Sequence, residues 1–62
     1  MNEQDLIQRA HGDTVETLYK VFFNEFTMAH GDDDTEKAAK ERFRKGILHA
    51  RNVLELALAL VP

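Results

Sequence analysis

The chain has 62 residues, 44% of them hydrophobic, a formal charge of −3 at pH 7 and no cysteine. A chain this short makes one thin domain, and such domains rarely hold together without staples or a partner. With no cysteine there is neither a disulfide framework nor a thiolate zinc site, so association is the remaining common remedy.

The opening Met1-Asn2-Glu3-Gln4-Asp5 lacks the basic and apolar regions of a secretory signal. Arg51 and Glu55 interrupt the most apolar stretch, so no run approaches the roughly 20 residues needed to span a bilayer. The expectation is a small acidic cytoplasmic protein without membrane contact. Its charge is unevenly spread. Residues 1–36 hold nine acids against two bases, whereas residues 37–51 hold six bases against Glu41. An acidic first half beside a basic band lets two helices of a hairpin, or two copies of the chain, attract each other.

Leu6, Ile7 and Ala10 give residues 3–11 a short amphipathic pattern. Ala10-His11-Gly12-Asp13 follows, where Gly suits the position just past a helix end and Asp suits the cap of a new one. Asp13 and Glu16 also have the spacing of a capping box. A break at Gly12 is therefore expected, with one kinked helix from 3 to 29 as the alternative. Val15, Leu18, Tyr19, Phe22, Phe26 and Ala29 then form a stripe at helical spacing, predicting a helix over 14–29. Val21, Phe23 and Met28 lie off that stripe and suggest a second contact surface. Ala29-His30-Gly31-Asp32 repeats the earlier tetrapeptide and is read as the same stop-and-start device.

Residues 34–61 carry the most regular signal. Ala39, Phe43, Ile47, Ala50, Leu54, Ala57 and Val61 follow one another at intervals of four and three, joined by Gly46, the repeat of a helical packing seam. Leu56, Leu60 and Val53 lie to one side of it, Leu48 and Leu58 to the other. Glu36 with Lys40, and Glu41 with Lys45, have the favourable i, i+4 order. The predicted fold is all-α: a single domain over 1–62, a hairpin of two main antiparallel helices with a short extra N-terminal helix, dimerising into a helical bundle.

The residues needed for chemistry are scarce. Serine and cysteine are absent and no Gly-rich phosphate loop is present. His11, Asp13, His30 and Asp32 offer ligand atoms for a divalent ion, but imidazoles near a helix end are more simply caps. Counting from Asp32, the sixth and twelfth places of a calcium loop hold Lys37 and Phe43 instead of Gly and Glu. No catalytic residue, metal or cofactor is expected.

Two surfaces remain. Leu54, Leu56, Leu58, Leu60 and Val61 are too apolar for one helix face, and with Phe23 and Phe26 opposite them they predict a protein interface. Lys37, Lys40, Arg44 and Arg51 fall within about 60° of one another on a helical wheel and suit an acidic partner or a nucleic-acid backbone. The favoured reading is a non-enzymatic adaptor, regulator or chaperone-like protein that pairs with itself and with another protein. A nucleic-acid-binding regulator is the alternative.

Overall fold

A computed structural model describes residues 2–62 of the chain. Among the described residues there are two α-helices and no strand: α1 over Glu3–Met28 and α2 over Asp33–Leu60. They pack against each other as a hairpin. At about 1.5 Å per residue the two helices are roughly 39 and 42 Å long, so each covers nearly the whole of the other.

Each helix begins with a cap supplied by its own sequence. The Asn2 side chain accepts a hydrogen bond from the Asp5 amide at 2.8 Å. At α2, the Asp32 carboxylate accepts from the Thr35 amide at 3.0 Å and from the Thr35 hydroxyl at 2.5 Å. Those bonds favour the charged carboxylate and hold Asp32 below the usual aspartate range. The turn between the helices is short. His30 and Gly31 both take positive φ, 52° and 81°, the conformation that ends a helix most cheaply when glycine supplies it. The Asp32 amide then donates to the Ala29 carbonyl at 3.0 Å and closes the turn.

The seam is where the spacing placed it. On α2, Ala39 and Ala50 are buried, while Phe43, Gly46, Ile47, Leu54, Ala57 and Val61 are half-buried. From α1, Leu18 sits so close over Gly46 that a Cβ there would meet its Cδ2 at 2.8 Å. Small residues on α2 thus receive large ones from α1. Phe22 stacks on Phe43 with ring centroids 4.9 Å apart and touches Phe26 at 5.6 Å. Among the described residues no side chain larger than alanine is buried. The core is one seam deep.

The separate N-terminal helix over 3–11 is not present. Residues 3–28 are one continuous helix, and Gly12 lies inside it. Nor does Asp13 open a capping box with Glu16, which instead pairs with Lys20 at 3.0 Å. The reason lies across the seam. A break at Gly12 would leave the last third of α2 without cover, whereas a continuous α1 brings Ile7 and His11, both half-buried, alongside it. At Gly31 no such facing helix exists, and the same tetrapeptide turns the chain. Gly12→Ala is therefore expected to stabilise the protein by about 0.5–1 kcal/mol, since alanine is the better helix former and nothing lies within 4 Å of its Cβ. Gly31→Ala is expected to destabilise it by about 1 kcal/mol or more, because its left-handed backbone resists a side chain. Thermal melts of the two variants decide this. Equal losses at both positions would mean that α1 is broken at Gly12.

Candidate functional site

The hairpin is a single layer. Its Cα atoms span 47 × 18 × 6 Å, with a radius of gyration of 14.5 Å against about 11 Å for a compact chain of this length. Its accessible surface is 4900 Å², whereas a compact 7.1 kDa monomer exposes about 4,100 Å². The excess, about 800 Å², matches what one partner contributes to a standard protein interface. With both broad faces of the layer open, the question is which face is built for contact.

One face carries an uncharged stripe. On α1 it is formed by Ile7, Ala10, Thr14, Thr17, Val21, Asn24 and Met28, at strict intervals of three and four, without one acidic or basic residue. On α2 the flank facing the same way carries Arg42, His49, Val53, Leu56 and Leu60. Lys45 lies on the same flank, between Arg42 and His49 at the same three- and four-residue steps; of these two formal charges, Arg42 is bound by Glu25 of α1. The two threonines of the α1 stripe satisfy their own hydroxyls within the helix: Thr14 donates to the Ala10 carbonyl at 3.1 Å and Thr17 to that of Asp13 at 3.0 Å. They present methyl groups outward and leave no donor to strand on burial. Between the helices, in the half remote from the turn, runs a groove of about 450 Å³. Ile7, Ala10 and Thr14 form one wall, His49 and Val53 the other, with Leu54 and Ala57 among the residues beneath. Val21, Met28, Val53, Leu56 and Leu60 stand 48–83% exposed on this face.

The opposite face has another character. Tyr19 and Phe23 lie there with ring centroids 6.2 Å apart, and the Lys40 ammonium lies 5.8 Å from the centre of the Phe26 ring. Lys37, Lys40, Arg44 and Arg51 are exposed along its α2 edge. Arg44 is engaged: its guanidinium donates to Glu41 at 2.5 Å, which holds the Glu41 carboxyl below its ordinary range and raises the guanidinium. Lys45 approaches the same carboxylate at 3.9 Å. Glu36 makes no ion pair with Lys40, whose ammonium lies over Phe26 instead. Glu41, Arg44 and Lys45 are solvent-exposed, where an ion pair contributes little to stability.

The residues expected to form one interface are therefore distributed. Leu54, Leu58 and Val61 are half-buried within the hairpin itself. Leu56 and Leu60 are 65% and 83% exposed and belong to the groove-bearing face. Phe23 and Phe26 lie at the turn end on the basic side, about 24 Å along the axis from Leu58 if each α2 residue rises about 1.5 Å. Within one chain they do not oppose the leucines. His11 and His30 are likewise far apart, roughly 28 Å along α1, and do not converge with Asp13 and Asp32 on one point.

The chain matches no protein-family model. No curated protein and no solved structure is significantly similar to it. The surfaces must speak for themselves. What the linear reading did not see is the α1 stripe from Ile7 to Met28. Its signal was the absence of charge at alternating three- and four-residue steps, and the expected break at Gly12 cut that stripe in two.

Proposed function

We propose that this protein is a non-enzymatic protein–protein interaction module, an adaptor, regulator or chaperone-like protein that works as a homodimer through apolar helix faces. The observation that carries the reading is the single-layer build, in which Leu56, Leu60, Val53, Val21 and Met28 stay exposed around an apolar groove. A core made of one seam supplies little stabilisation to a chain of this length, and a second layer supplies what is missing. The most available second layer is another copy of the same chain. A hairpin has two faces, so pairing through one leaves the other for a further partner. No helix among the described residues is long and apolar enough to cross a membrane.

A second reading rests on the exposed line of Lys37, Lys40, Arg44 and Arg51 on the opposite face. Such a line suits the phosphates of a nucleic acid, with affinity that falls steeply as salt rises. Molar mass by light scattering, over a concentration series at low and moderate salt, tests the main reading. A dimer that persists in moderate salt is the expected result. A monomer at every concentration would remove the homodimer, and duplex binding that weakens linearly on a log–log salt plot would then favour the second reading.

A further inference from the structure

We propose that the second copy seats end for end on the groove-bearing face, so that the α1 stripes of the two copies run antiparallel across a two-fold axis near Thr17. This rests on the homodimer reading and specifies its surface and orientation. The α1 stripe has no charge to desolvate and no threonine hydroxyl left unpaired, which is what a buried helix–helix contact requires. The other face is edged by four exposed bases, against Arg42 and Lys45 on this one, and Arg42 is already paired with Glu25.

Shape and charge then select the orientation. The groove occupies the half of the face remote from the turn, while Val21 and Met28 protrude from the half near it. Exchanging ends lays the protruding pair of each copy over the groove of the other. Seating the copies with their turns together would instead put groove over groove. It would also bring Asp32, Asp33, Asp34 and Glu36 of one copy beside the same four carboxylates of the other, and like charges in juxtaposition disfavour that pairing. End for end, those clusters lie at opposite ends of a hairpin 47 Å long. A two-fold axis makes the contact self-complementary, with Ile7 near the partner copy's turn end and Thr17 near its own counterpart.

Because the chain has no cysteine, single replacements report position directly. Thr17→Cys is exposed in the hairpin and is not part of its seam. On mild oxidation the Thr17→Cys protein is expected to link into a covalent dimer, with the yield falling at Ala10→Cys and Asn24→Cys, while Phe23→Cys on the other face stays unlinked. Spin labels on Met28→Cys should be about 30 Å apart across the dimer, the rise of some twenty helical residues. A dimer in which Thr17→Cys does not link, or in which the Met28 labels lie close together, overturns the end-for-end seating while leaving the homodimer standing. Efficient linking at Phe23 would move the seam to the aromatic face. A monomeric parent protein overturns both the seating and the homodimer.

Discussion

Replacing Leu56 and Leu60 together by Glu is expected to turn the proposed dimer into a monomer at every concentration. Both side chains are more than half exposed in the single hairpin, so their replacement leaves the seam of Phe22, Phe43 and Leu18 in place. In the proposed dimer they are covered. Four leucines per dimer at about 1.5 kcal/mol each, the low end for burying such a side chain, come to about 6 kcal/mol. At about 1.4 kcal/mol per factor of ten, that is roughly four orders of magnitude in dissociation constant, before the cost of covering carboxylates is added. Light scattering and a thermal melt of the double variant check this. A double variant that elutes and melts like the parent would show that this surface is not the interface.

The second large effect is on folding. Phe43→Ala removes the ring that stacks on Phe22 and joins α2 to the aromatic cluster of α1. Large-to-small changes of this kind cost about 3–5 kcal/mol for a fully enclosed ring, so about 2 kcal/mol for one that is half-buried, as Phe43 is. A natural domain of 62 residues has roughly 3–9 kcal/mol in all, so the variant is expected to melt far below the parent. Phe23→Ala is the matched control. Its ring is 58% exposed, and its loss is expected to cost less than about 1 kcal/mol. Circular dichroism during heating separates the two. If Phe23→Ala proves as damaging as Phe43→Ala, the aromatic face is covered in solution and the interface must be sought there.

The candidate site was legible only in part. Exposure of Leu56 and Leu60 follows from their wheel positions beside the seam, and their surplus over one face was visible as composition. Their separation from Leu54, Leu58 and Val61 was not. All five sit within eight residues, and which flank each occupies depends on where α1 lies against α2. The pairing of Arg42 with Glu25, seventeen residues away, could not be read from local spacing either, although it neutralises one of the two cations on the α2 flank beside the α1 stripe.

The sequence by itself determined the α2 seam from Ala39 to Val61, the turn at Ala29–Asp32 and the Asp32 cap, because periodicity and capping act over a few residues. Only the tertiary structure decided what Gly12 does. Ala-His-Gly-Asp occurs twice, and the local preferences of the two copies are the same. The second stands where nothing lies across from the chain, so glycine takes its left-handed conformation and the helix ends. The first stands opposite the C-terminal half of α2, whose apolar residues gain cover only if α1 continues through. Burial along the whole helix outweighs the roughly 1 kcal/mol by which one glycine disfavours it.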